Sequence, residues 1–128
     1  MKKLTVQDIE LLHMQIIDAS GGSQGSRDVA RIDAVVATQI QSVFGQELYQ
    51  TIFDKAAALA RGMIGDHPFI DGNKRTGIMT ALLFLNLNEH DTSSLQDNEL
   101  ENFAVRIAID HLSVPEIATW LEQHTVEK

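Results

Sequence analysis

The chain has 128 residues, 44% hydrophobic and 22% charged, a balance that suits one domain spanning residues 1–128 around one core. It has no cysteine and a net charge of −8, which excludes a disulfide framework or thiolate metal site and argues against direct nucleic-acid binding. The opening MKKLTVQDIELLH places Asp8 and Glu10 where a signal peptide would be apolar, and the longest apolar run, IMTALLFL, is too short for a bilayer; the expectation is a soluble, cytoplasmic protein without membrane contact.

The pattern is helical nearly throughout. Thr5 with Asp8 forms a capping-box pair for a first helix, with Val6, Ile9, Leu12, Ile16 and Ile17 on one face. SGGSQGS, residues 20–26, ends it as a glycine-rich loop. A second helix is expected from Ser26 or Asp28 through Ile40, broken by Gly45. A third is expected from Tyr49 to Ile64, its AAALA centre small enough for a neighbouring helix to approach closely; Gly65 and Pro68 stop it. A fourth opens near Asn73 and runs to Asn88, apolar on most sides as a central helix should be. Ser94 and Asp97 begin a fifth. Ser113, Pro115 and Glu116 begin a sixth in the order cap, early proline, capping-box acid. Only residues 43–49 or 90–95 suggest short extended pieces. The fold class is therefore all-α: a compact bundle of about six helices.

The chemistry is concentrated in HPFIDGNKRT, residues 67–76, between the third helix and the central one. A helix N-terminus offers unpaired N–H groups and partial positive charge, a natural seat for an anion. Gly72 lets the chain turn and a ligand approach the backbone. Asn73, Lys74 and Arg75 fall in the first turn, where they add donors; two cations there oppose the helix dipole unless an anion compensates. Asp71 has the chemistry to hold Mg²⁺ against phosphates, and His67 is the side chain suited to accept a proton near neutral pH. Phe69 anchors the loop in the core, and Pro68 stiffens it. Together these parts describe a phosphate-transfer site of base, metal ligand and anion cradle. Other motifs fail: GNKRT is not a P-loop, GGSQG is not a dinucleotide fingerprint, and His13, His90, His111 and His124 lack zinc spacing and read as surface or partly buried residues.

HPFIDGNKRT resembles the signature loop of the Fic/Doc superfamily, HPF-x-[DE]-G-N-G-R, with Lys74 in place of the second glycine. That lysine marks the Doc branch, the death-on-curing toxins. GGSQGSRD and FDKAAALARGMI strengthen the resemblance, which extends over essentially the whole chain. It implies a compact helical fold with His67 as general base, Asp71 as the Mg²⁺ ligand and Gly72, Asn73, Lys74 and Arg75 as the cradle. Ile78 stands where many Fic enzymes carry a second arginine, and Lys74 fills space that they leave for inner phosphates. The resemblance thus implies a protein kinase that transfers the γ-phosphate of Mg-ATP to a Ser/Thr hydroxyl of a translation factor, elongation factor Tu in the known Doc activity. The alternatives are a Fic-type AMP transferase and an inactive nucleotide- or protein-binding module. The family's inhibitory pattern, [ST]-x-x-x-E-[GN], has no match: Glu101-Asn102 is preceded by Asp97 at the required offset. The expected inhibitor is therefore an antitoxin chain acting in trans.

Overall fold

A computed structural model describes residues 1–128. Six helices carry the fold: α1 (Val6–Ser20), α2 (Val29–Ala37), α3 (Ile52–Asp66), α4 (Asn73–Leu87), α5 (Asp97–Asp110) and α6 (Val114–His124). Two small antiparallel pairs join them. β1 (Ser42–Val43) pairs with β2 (Gln46–Glu47) as a hairpin, and β3 (His90–Asp91) pairs with β4 (Val126–Glu127). None of the helices is long and apolar enough to cross a membrane.

The starts follow from capping chemistry. Thr5 and Asp8 form the capping box of α1, and Ser113 and Glu116 that of α6, with proline in the first turn. Hydrogen bonds from Ser113 hold the Glu116 carboxyl below its ordinary pKa. At α5 the box is formed by Gln96 and Glu99, two residues later than the Ser94–Asp97 pair suggests.

Helices α3 and α4 form the centre. Gly77 of α4 faces Ile64 and the Ala60 carbonyl so closely that a β-carbon there would lie 2.8 Å from Ile64 and 3.1 Å from that oxygen. The small residues Ala56–Ala60 of α3 are all buried or nearly so, Ala58 at 4% being the most exposed. This pair is wrapped by α6 and α2 against α3, and by α5 and α1 against α4. Phe84, Leu59, Met63, Leu85 and Ile117 fill the space between them. Trp120 is only half-buried, sandwiched between Phe103 at 3.9 Å and His124 at 3.9 Å.

Two further helices have ends that differ from the sequence expectation. Helix α2 stops at Ala37 and tightens into a 3-10 turn over Thr38–Ile40, so Gly45 shapes the hairpin and does not terminate a helix. The cause is Gln39, 1% exposed, whose amide bonds both the Leu4 N–H (2.8 Å) and the Leu4 carbonyl (2.9 Å) while its own carbonyl accepts from Lys55 Nζ (2.7 Å). Helix α3 begins at Ile52, where Thr51 accepts from the Asp54 N–H, and runs through Gly65 to Asp66. Lys55 is itself buried, and its ammonium also meets Glu47 of the hairpin at 3.2 Å.

Candidate active site

Helix α3 ends on His67, whose backbone is left-handed (φ 49°, ψ 58°) and whose side chain is exposed. Helix α4 begins at Gly72, also left-handed (φ 76°, ψ 19°). A β-carbon on Gly72 would lie 2.9 Å from Ile17 of α1, so both conformation and space call for glycine. Between these turns, every element of the loop is tied down.

Three attachments do this. Asn73 reaches back one turn: its Oδ1 accepts from the Phe69 N–H (2.9 Å) and its Nδ2 donates to the Phe69 carbonyl (3.0 Å). The glycine-rich segment straps the outside. Arg27 and Asp28 N–H groups donate to the Pro68 carbonyl (2.8 and 3.0 Å), and Ile70 N–H donates to the Gly25 carbonyl (3.1 Å). From inside, His13 of α1 stacks on the buried Phe69 with ring centroids 3.8 Å apart and planes 5° off parallel. Its Nε2–H donates to the Asp71 carbonyl at 2.8 Å.

Asp71 is exposed, with Oδ1 accepting from the Gly72 N–H (2.9 Å) and Oδ2 from the Ser23 N–H (3.3 Å). Those bonds leave lone pairs on both oxygens. No three metal-ligating side chains converge anywhere in the molecule. A lone oriented carboxylate nonetheless fits Mg²⁺, which keeps several waters and takes the rest of its ligands from phosphates.

The N-terminus of α4 opens into a hollow of about 500 Å³ lined by Asp71, Gly72, Asn73, Lys74 and Arg75, with Leu100, Glu101 and Ala104 of α5 across from them. Lys74 and Arg75 are exposed, and neither forms an ion pair in the structure. The Asn73 amide is spent on Phe69, so Asn73 can offer an anion only its backbone N–H. Thus Asp71, Gly72, Asn73, Lys74 and Arg75 share one hollow. His67 is not among the residues of that hollow and lines a second one instead, and Phe69 lies buried.

Sequence reasoning missed His13, read as surface or partly buried but 3% exposed. Its position on the buried stripe with Ile9 and Ile17 was the available signal. Gly22 was also missed: a β-carbon there would come within 2.7 Å of Asp71 Oδ2, so its small size is what admits that carboxylate.

The sequence model of the Fic/DOC family matches residues 3–85. The protein named Toxin Doc of Mycolicibacterium smegmatis is 41% identical over 70 residues, 55% of this chain and 54% of that protein, so the chain aligns with about half of its length. Protein kinase doc of Escherichia phage P1 is 28% identical over 123 residues, 96% of this chain and 95% of that protein.

Proposed function

The chain belongs to the Fic/DOC family, and on that premise we propose that it is a Doc-type toxin: a protein kinase that moves the γ-phosphate of Mg-ATP onto a Ser/Thr hydroxyl of a translation factor, with elongation factor Tu as the expected acceptor. The names of its two relatives, a toxin and a protein kinase, support the reading. One observation carries it: two unpaired cations, Lys74 and Arg75, flank a helix N-terminus that opens on a hollow large enough for a nucleotide.

The residues divide the work. The backbone N–H groups of the first turn of α4 and the Arg75 guanidinium hold the phosphates, and Lys74 adds charge where a Fic enzyme would leave room. Asp71 would hold the metal, and Mg²⁺ when bound supplies neutralisation of the phosphate charge beside Glu101 and Asp97. His67 takes the proton of the acceptor hydroxyl. The acceptor oxygen forms a bond to the γ-phosphorus while the bond to the β–γ bridging oxygen breaks, and ADP leaves with that electron pair. Binding and orientation carry most of the rate, since this transfer asks little covalent chemistry of the protein.

An antitoxin in trans is the expected inhibitor, since residues 1–128 hold no match to the family's inhibitory pattern.

The test uses elongation factor Tu and ATP labelled on either the α- or the γ-phosphate. Label from the γ-position alone should reach the acceptor and vanish with His67→Ala. Label from the α-position would establish AMP transfer instead, and identical behaviour of His67→Ala and the parent would defeat the assignment of the base.

A further inference from the structure

A second cavity, of about 480 Å³, lies between α2, α3 and α5. It shares no residue with the cradle hollow, yet His67 lies on its wall. The proposed base therefore opens on the space that lacks the cradle's cations, four residues along the chain from Asp71, the first residue of the cradle hollow. A base that serves phosphate transfer must have the phosphate on one side and the incoming hydroxyl within hydrogen-bond reach.

The cavity's own chemistry says what fits. Its deep wall is apolar, with Val35, Ile64 and Ile107 buried there. Two charged groups of α3 stand at its edge with spare capacity. Arg61 spends only Nε, on the Leu112 carbonyl (3.2 Å), and its terminal nitrogens have no partner. The Asp66 carboxylate accepts no hydrogen bond and forms no ion pair, although its backbone carbonyl is held by Arg31. One free donor fork and one free acceptor over an apolar floor match a peptide strand, which carries C=O, N–H and a side chain to bury. They suit a polyphosphate less well, since Arg61 is the single lysine or arginine on this lining against the Lys74–Arg75 pair of the cradle.

We infer that this cavity seats the extended segment of the acceptor protein that bears the hydroxyl, with Arg61 bonding a backbone carbonyl and Asp66 a backbone N–H of that segment. The inference rests on the kinase reading and places its protein substrate.

The absence of cysteine makes a direct test possible. Ala108, half-buried on the α5 wall of the cavity, is replaced as Ala108→Cys and labelled with fluorescein maleimide; Glu122→Cys, exposed on α6 and outside the cavity, is the labelled control. Blocking the cavity should lower γ-phosphate transfer to elongation factor Tu at least about tenfold while the Kd for Mg-ATP stays within about twofold. Arg61→Gln, on an exposed side chain, should raise the acceptor KM about fivefold or more with the ATP KM unchanged, which guards against a label that disturbs folding. Two results overturn the inference: full transfer by the blocked protein, or joint loss of nucleotide binding, which would make the cavity a nucleoside site. If the unlabelled protein itself transfers nothing, the kinase reading has failed and the inference falls with it, a result recognisable because blocking then changes nothing.

Discussion

Helices α3 and α5 end alike and continue differently. Each stops on an exposed histidine in the left-handed conformation, His67 with φ 49° and His111 with φ 50°. Histidine tolerates that region better than most residues, yet glycine is the usual occupant because it has no β-carbon to strain. After His111 the chain passes into a capped helix within three residues, Ser113 supplying the cap. After His67 it crosses five residues held from three directions before α4 begins. The strain is shared, so it cannot by itself mark function; the scaffold built around the loop distinguishes the two ends.

The largest effect should come from His67→Gly. On the role proposed for His67, removing the base costs about 10²–10⁴-fold in rate, while releasing the strained backbone adds about 1 kcal/mol of stability, or about 3 °C in Tm. Transfer assays and thermal melting on one preparation would show activity and stability moving in opposite directions. A variant that lost both would mean that the His67 side chain holds the fold.

Next are the residues that make the two ends unlike. Asn73→Ala removes both hydrogen bonds that close the loop onto Phe69. It should destabilise the protein by about 1–3 kcal/mol and weaken Mg-ATP binding, because the cradle's first turn loses its tie to the loop. His13→Phe keeps a ring against Phe69 but leaves the Asp71 carbonyl without its donor. It should raise the KM for Mg-ATP about tenfold with a smaller change in stability, measured by urea titration. An unchanged KM would show that α1 merely packs against the loop.

The loop itself was legible because its chemistry lies in ten consecutive residues and its ends are marked by Pro68 and Gly72. Caps at Thr5, Thr51 and Ser113 are local as well, and the first and last could be read directly. What escaped depends on distance along the chain. His13 meets Asp71 across 58 positions and Gln39 meets Leu4 across 35, and no local periodicity reports such pairs. The early end of α2 follows from the second of these, since Gln39 is drawn inward by Leu4 and Lys55. The second cavity was illegible for the same reason, its walls coming from α2, α3 and α5.

A smaller effect tests the other end of the comparison. His111→Gly should stabilise the protein by about 1 kcal/mol, as at position 67, because relief of the same backbone strain is the only shared term. Urea titration of both glycine variants should give gains equal within about 0.5 kcal/mol. A markedly larger gain at His67 would mean that the loop's attachments hold that histidine under additional strain.

The smallest expected effect concerns a third left-handed residue, where no helix ends. Phe44 (φ 51°) and Gly45 (φ 79°) form the two-residue turn of the β1–β2 hairpin, both with positive φ. That geometry favours Asn-Gly, because asparagine accepts the left-handed region and an aromatic side chain does so poorly. Phe44 is fully exposed, at 102%, so its replacement gives up no packing. Phe44→Asn should therefore add about 0.5 kcal/mol, visible as a small rise in the urea midpoint with an unchanged m-value. A fall instead would mean that the ring shields the hairpin, tethered through Glu47 to the buried Lys55, from local opening.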